Sequence, residues 1–203
     1  MLTLQPTDDA DMLIWRGRMK AKENQRVMLT KQLLSAAFLQ MLKDTPIHAI
    51  SIRQLCERAG INRTTFYHHY GSQYDLLSDI SGRFLDEIDE RLSAVDAENR
   101  ESVQERVTMV LEYLDDNPEL SRMLLNNNID PQFAERIFAL PRISDLLQAA
   151  LKNCTDPCWS RAVTSFAIHG SYRLLQEWID QDDRLAPEEQ AGLILSLARR
   201  VCH

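Results

Sequence analysis

The stretch that decides the fold is "ISIRQLCERAGINRTTFYHHYGSQYDLL", which runs from Ile50 to Leu77. It opens with a capping-box pattern, a serine at 51 followed three residues later by Gln54, and this pattern is typical of a helix N-terminus. Gly60 can take the left-handed conformation that ends a helix, and Asn62 suits the N-cap of the next one. The stretch therefore predicts two short helices joined by a tight glycine-containing turn, a helix-turn-helix.

The second helix of this pair has two different faces. At about 3.6 residues per turn, Phe66 and Tyr70 share one face, which we expect to pack on the preceding helices. The other side chains point outward or lie at the edge, and they offer hydroxyl, imidazole and phenol groups: Thr64, Thr65, Tyr67, His68 and His69. Such groups reach phosphates and base edges, so the outward face is predicted to bind the major groove of DNA.

The charge is distributed unevenly along the 203 residues, whose net charge is −7. The segment from Arg16 to Gln73 holds ten lysines and arginines against three acids, so it is +7 and the remainder is −14. A basic segment on an acidic body is typical of a protein that binds a polyanion. A merely solvated basic face is the alternative that charge alone leaves open.

Residues from about 26 to 80 resemble the DNA-binding domain of the tetracycline-repressor (TetR) family of bacterial transcriptional regulators. The likeness is densest in "AGINRTTFY", Ala59 to Tyr67, and a tryptophan in the penultimate helix, within "GSYRLLQEWI" (Gly170 to Ile179), is also similar. The resemblance implies an all-α fold, with an N-terminal three-helix helix-turn-helix domain and a larger helical domain for ligand binding and dimerisation. It also implies a sequence-specific regulator of transcription.

Carried over residue by residue, the resemblance implies which side chains touch DNA. It assigns phosphate contacts to Ser51, Thr65, Tyr67 and His69. Base reading falls to Arg63, Thr64 and His68, while Arg53 can reach the backbone from the preceding helix. The predicted DNA-binding set is completed by Asn62, Ser72 and Gln73. The last stands where the family usually has a lysine, which weakens one phosphate contact. A solvent-facing Arg63 and a His69 that only packs are the alternatives.

The sequence divides into four parts. We expect a flexible tail at 1–15, a basic arm at 16–26, the helix-turn-helix domain at 27–78 and a helical effector-binding and dimerisation domain at 79–203. The arm carries four basic residues that either enter a minor groove or add only non-specific affinity: Arg16, Arg18, Lys20 and Lys22. Almost no strand-like alternation occurs, so the chain is predicted to be all-α.

The C-terminal part is predicted to bind an effector and to dimerise. Its last two helices carry more apolar side chains than one chain can cover, so a two-fold homodimer through them is expected. In the family, helices five to eight enclose a small-molecule pocket. Candidates to line it are Met109, Tyr113, Met123, Phe133, Trp159, Phe166 and His169. Plain core packing is the alternative for each of them.

The composition disfavours several other classes of function. No apolar run approaches the roughly 20 residues of a membrane span, and the N-terminus lacks the features of a signal peptide, so a cytoplasmic protein is expected. Cys154 and Cys158 are the only close pair of cysteines, and no second ligand pair accompanies them, so unpaired thiols are favoured over a redox sensor or metal site. No acid or nucleophile in the sequence accompanies His68 and His69, which disfavours an enzyme. We therefore expect no catalytic residues, metal or cofactor.

The sequence favours a homodimeric repressor that binds double-stranded operator DNA and is released by a small apolar effector. The alternative is a transcriptional regulator switched by a protein partner, with no small-molecule ligand.

Overall fold

A computed structural model describes residues 9–96, 102–125, 129–150 and 157–201, with side chains over 24–93, 102–125, 129–149 and 162–200. All regular structure in these ranges is helical. The chain divides into two compact units, Met1–Leu76 and Leu77–His203. The predicted all-α fold is therefore confirmed. None of the helices described is long and apolar enough to span a membrane.

Unit 1 consists of helices around a small apolar core. In chain order they are α1 (Asp9–Leu42), a 3-10 turn (Ile47–Ala49), α2 (Ile52–Ala59), α3 (Arg63–His69) and the first residues of α4 (Gln73–Asp96). The side chains of Leu34, Phe38, Leu55 and Phe66 are fully buried and form its centre. Burial of these large side chains is the main force that holds the short helices α2 and α3 in place.

The start of α1 corrects the prediction for the N-terminal segment. The helix begins at Asp9, so residues 9–26, expected as part of the tail and as the basic arm, are helical. Between Pro6 and Pro46 the chain has no proline, and most residues there are good helix formers, so nothing stops the helix earlier. The side chains of the four basic arm residues lie outside the described ones.

The helix-turn-helix is fixed by three local features that the sequence predicts. The hydroxyl of Ser51 accepts the backbone N–H of Gln54 at 3.2 Å and so caps α2. Gly60 ends α2 with φ 67°, in the left-handed region that favours glycine. Asn62 caps α3 through its side-chain oxygen. All three predictions are confirmed, because each depends only on chemistry within a few residues.

Unit 2 contains the remainder of α4 and six further helices among its described residues. These are α5 (Val103–Asp116), α6 (Pro118–Leu125), α7 (Phe133–Phe138), α8 (Pro141–Ala150), α9 (Pro157–Asp180) and α10 (Pro187–Val201). Ser102 and Glu105 form a full capping box at the start of α5. The C-terminal helix packs extensively against α5 and also against α9. This packing builds the main apolar core of the unit.

Two arginines form hydrogen bonds between the short helices of unit 2 and α4. Arg136 of α7 donates to the hydroxyl of Ser81 at 2.7 Å, and Arg142 of α8 donates to Asp89 at 2.5 Å. The aromatic ring of Phe84 lies between them along α4 and packs on Tyr113, with ring centroids 4.9 Å apart. Because these polar groups are partly buried, their hydrogen bonds position α4 relative to α7 and α8.

Candidate nucleic-acid interface

Helix α3 presents one apolar and one polar face, as the sequence predicts. Phe66 is fully buried and Tyr70 is 5% exposed, and their ring centroids lie 5.7 Å apart on the inner side. On the outer side Tyr67 is 58% exposed, and Thr64 and His68 are exposed as well. Two buried rings thus anchor the inner side of α3, while its outer side is polar and exposed.

The N-terminal end of α3 is capped by a side chain. The side-chain oxygen of Asn62 accepts the backbone N–H of Thr64 at 2.8 Å. Asn62 therefore positions the helix, while the exposed side chains of Arg63 and Thr64 project from its first turn. In helix-turn-helix proteins the first residues of the second helix contact base edges. The local geometry is suited to that use.

The C-terminal end of α3 gathers imidazole and ammonium groups. The rings of His68 and His69 lie 5.2 Å apart, and the ammonium of Lys31 lies 5.5 Å from the ring centroid of Tyr70. Burial lowers the pKa of His69, and the nearby charges of His68 and Lys31 lower it further. His69 is therefore biased towards its neutral form, in which one ring nitrogen still donates a hydrogen bond.

Lys31 was not among the residues predicted to bind DNA. It comes from α1, three positions before the buried Leu34, and is half-buried. Its position at helical spacing from a core leucine is a signal that places it on the inward side of α1. That signal does not reveal that the ammonium group comes close to the C-terminal end of α3, which depends on tertiary packing.

The start of α2 supplies groups that already have intramolecular partners. The hydroxyl of Ser51 donates to the side-chain oxygen of Gln54 at 2.8 Å. A phosphate can therefore accept a hydrogen bond from this hydroxyl only if it displaces the side chain of Gln54. Arg53 is paired with Glu57 at 2.8 Å, and both side chains are largely exposed. An exposed pair of this kind contributes little to stability, so the guanidinium can exchange partners at small cost.

The start of α4 is capped in the same manner. The hydroxyl of Ser72 accepts the backbone N–H of Asp75 at 3.3 Å, and Gln73 is the first residue of the helix. A helix N-terminus attracts phosphate through its free N–H groups. The predicted DNA-binding residues all lie between positions 51 and 73 of unit 1. Seven are exposed, while Thr65, His69, Ser72 and Gln73 are half-buried.

The structure does not bring the predicted pocket residues together. Tyr113 and Phe133 are buried and pack against Phe84. Phe166 is 65% exposed and His169 is also exposed. Met109 and Met123 are half-buried, and the side chain of Trp159 lies outside the described residues. A helical wheel identifies the face of one helix, but it does not identify which side chains of other helices meet it.

A cavity of about 90 Å³ lies elsewhere in unit 2, among side chains of α5, α7, α8, α9 and α10. Leu111, Ile143, Leu175 and Ile194 are among its lining residues, and none of the predicted pocket residues is. Sequence patterns gave no signal for this cavity, since it depends on how five helices pack. The lining of the cavity is apolar, as that of small-molecule sites mostly is.

Helices α9 and α10 also carry apolar side chains on their outer surface. Phe166 is 65% exposed, Leu193 is 38% exposed and Leu197 is 39% exposed. A Cβ atom added at Gly170 would meet no atom within 4 Å, so the surface around it is open. We call Phe166, Leu193 and Leu197 the apolar surface of unit 2.

The described residues include no group of three or more histidine, cysteine or acidic side chains that could hold a metal ion. Cys56 is a buried free thiol. The pair of Cys154 and Cys158, considered above as a redox or metal site, lies outside the residues whose side chains are described.

Residues 33–80 match the model of the family described as bacterial regulatory proteins, tetR family. The HTH-type transcriptional regulator YxbF of Bacillus subtilis (strain 168) is 33% identical over 90 residues, which are 43% of this chain and 24% of that protein. The chain thus spans about a quarter of the length of this relative.

Two solved structures share the fold over most of their length. A TetR transcriptional regulator from Streptococcus agalactiae 2603V has a TM-score of 0.67 at 18% identity, covering 88% of this chain and 98% of that one. A tetR family transcription regulator from Shewanella sp. PV-4 has a TM-score of 0.60 at 16% identity, covering 83% and 95%. At these identities the likeness shows a common fold.

Proposed function

We propose that this chain, which belongs to the tetR family of bacterial regulatory proteins, controls transcription by binding a specific operator sequence through the outer face of α3. The family and the relatives above are described as transcriptional regulators and not as enzymes. The observation that carries the proposal is the two-faced α3, which is anchored by Phe66 and Tyr70 and leaves Tyr67 and His68 exposed.

The proposed contacts divide into base reading and backbone positioning. Arg63, Thr64 and His68 read base edges, because they project from the exposed side of α3. Ser51, Arg53, Thr65, Tyr67, His69, Ser72 and Gln73 position the backbone, and we add Lys31. Phosphate contacts set the register of a protein on the duplex, while base contacts give specificity. The +7 charge of the segment from Arg16 to Gln73 supports attraction to the duplex.

A titration of duplex DNA at several salt concentrations tests this proposal. The logarithm of the binding constant should fall linearly with the logarithm of salt concentration, by about 0.9 for each phosphate neutralised. Arg63→Ala should cost about 1–3 kcal/mol on a specific site and relax the preference at one base pair. Arg58→Ala is the matched control, because it removes the same charge from an exposed position of α2 outside the proposed contacts. Equal losses in the two variants would contradict base reading by Arg63.

The protein is proposed to act as a homodimer in the cytoplasm, where it meets its operator. The apolar surface of unit 2, formed by Phe166, Leu193 and Leu197, supports dimerisation through α9 and α10, because a partner would remove it from water. A two-fold dimer places the same surface of each chain against the other, and it presents two α3 helices to a symmetric operator.

The regulator is further proposed to be a repressor that a small effector releases from DNA. The apolar cavity of unit 2 supports this, because it offers a site distinct from α3. An effector acts only through the difference between its affinities for the DNA-bound and free forms. Thermal stabilisation by members of a metabolite panel, together with release of DNA in a gel shift, would support the effector. Stabilisation only by a protein partner would favour the alternative regulator that has no small-molecule ligand.

A further inference from the structure

The cavity of unit 2 is lined almost entirely by hydrocarbon. Of its fourteen lining residues, thirteen are valine, leucine, isoleucine, phenylalanine or alanine, and the fourteenth is Ser171 of α9. No charged side chain lines it among the described residues. Moving an ionised group into such surroundings without a partner is very costly. The cavity therefore selects against anionic and cationic ligands.

Ser171 is the one residue with a polar side chain among those that line the cavity. A serine within a helix often donates to the carbonyl four residues earlier, which here belongs to Ala167. Ala167, Ser171 and Leu175 line the cavity along one face of α9. Among the described residues, the Ser171 side chain makes no hydrogen bond, to Ala167 or to any other group. A free hydroxyl offers one donor and two acceptor positions.

The cavity volume sets the size of the ligand. A water needs roughly 10–15 Å³ of such space, so about 90 Å³ accommodates on the order of six to nine non-hydrogen atoms. This matches a single ring with one substituent. Larger ligands would require side chains at the rim to move.

We propose that the cavity binds a small, uncharged alcohol or phenol, and that Ser171 recognises its hydroxyl group while the surrounding hydrocarbon holds its ring or chain. The inference rests on the proposed function in taking this cavity as the effector site. An apolar molecule of equal size binds less tightly, because it leaves the Ser171 hydroxyl unpaired. A carboxylate of similar size is rejected, because its charge has no partner in the cavity.

Calorimetric titration of the full chain with phenol, toluene and benzoate tests this assignment. Phenol should bind more tightly than toluene by about 3- to 10-fold, the range that one net hydrogen bond gives, and benzoate should show no binding. Ser171→Ala should remove the difference between phenol and toluene, and Ser171→Thr, which retains a hydroxyl, should restore it. Ser165→Ala is the matched control, because Ser165 is an exposed serine of α9 that does not line the cavity.

Three results would overturn the proposal: binding of benzoate as tight as that of phenol, a phenol affinity unchanged in Ser171→Ala, or no binding of any probe at millimolar concentration. A gel shift in the presence of phenol is read separately. Failure of phenol to release DNA contradicts the effector role of the cavity, whereas the titration alone decides its chemical preference. Failure to bind DNA at all contradicts the proposed regulator and leaves the titration result as it stands.

Discussion

The side-chain oxygen of Asn62 accepts the backbone N–H of Thr64 at 2.8 Å, and this bond begins the helix that presents the proposed DNA-binding face. The first N–H groups of a helix have no partner within it, so a cap of this kind stabilises the helix start. Helix α3 has only seven residues, and the cap gives one of its first N–H groups a hydrogen-bond partner.

Removal of this cap should destabilise unit 1. Asn62→Ala is expected to lower the free energy of unfolding by about 1 kcal/mol, because it leaves the N–H of Thr64 without its partner. Asn62→Ser, which can cap as well, should stay close to the wild type. Urea denaturation followed by circular dichroism measures both. Equal stability of the alanine and serine variants would show that the cap contributes nothing.

Tyr67 should contribute to operator binding without supporting the fold. Its ring is 58% exposed and meets the edge of Phe66, with centroids 5.6 Å apart. Tyr67→Ala is expected to weaken operator binding by about 1–3 kcal/mol and to leave the unfolding curve nearly unchanged. Tyr67→Phe separates the hydroxyl from the ring. An operator affinity that is unchanged in both variants, as measured by fluorescence anisotropy, would contradict the assignment.

DNA affinity should rise as the pH falls towards 6. In the free protein the pKa of His69 is lowered by burial, and by His68 of the same helix and Lys31 of α1. A bound phosphate favours the charged imidazole and so raises the pKa in the complex. Between the two pKa values the complex holds more protons than the free protein. Affinity therefore increases as pH falls through the pKa of the complex and levels off below the lowered pKa of the free protein.

The matched variant for this pH dependence is His69→Gln, which retains a hydrogen-bond donor but does not titrate. Its affinity should change less between about pH 8 and pH 6 than that of the wild type. Identical pH profiles for the two proteins, measured by anisotropy with one duplex at constant ionic strength, would show that His69 does not face a phosphate.

The apolar surface of unit 2 should hold the dimer together. Phe166→Asp is expected to shift the protein towards monomers, because a charge buried at the interface would lack a partner. Leu185→Asp is the control, since Leu185 is also exposed, at 46%, but lies between α9 and α10 and not on either helix. Sedimentation velocity measures the masses. A wild-type monomer, or a dimer unaffected by Phe166→Asp, would contradict dimerisation through this surface.

The parts of the fold that the sequence predicted are those fixed by local chemistry. The turn required a residue with positive φ at Gly60, and the caps at Ser51 and Asn62 act within three residues. The start of α1 was not predictable in the same way. The residues that follow Asp9 are mostly good helix formers, and no local signal among them marks where the helix begins.

The two candidate sites differ, for the same reason, in how well the sequence predicts them. The outer face of α3 follows from the periodicity of one helix, so its exposed residues were identified correctly. Prediction of the cavity of unit 2 requires knowledge of which faces meet across five helices. Phe166 was assigned to the pocket from its apolar character, yet it is exposed, while the neighbouring Ala167 lines the cavity. Adjacent positions on a helix point about 100° apart, so a prediction that is off by one residue selects a different surface.

Selection from a pool of random duplexes tests sequence-specific DNA binding by α3 most directly. The wild type should enrich one sequence with two related half-sites, their centres about one helical turn or a multiple of it apart, roughly 34–36 Å per turn. The double variant Arg63→Ala/His68→Ala, with an unchanged unfolding curve, should enrich no such sequence. A folded wild type that retains duplexes without preference, or a double variant that enriches the same site, would contradict the account.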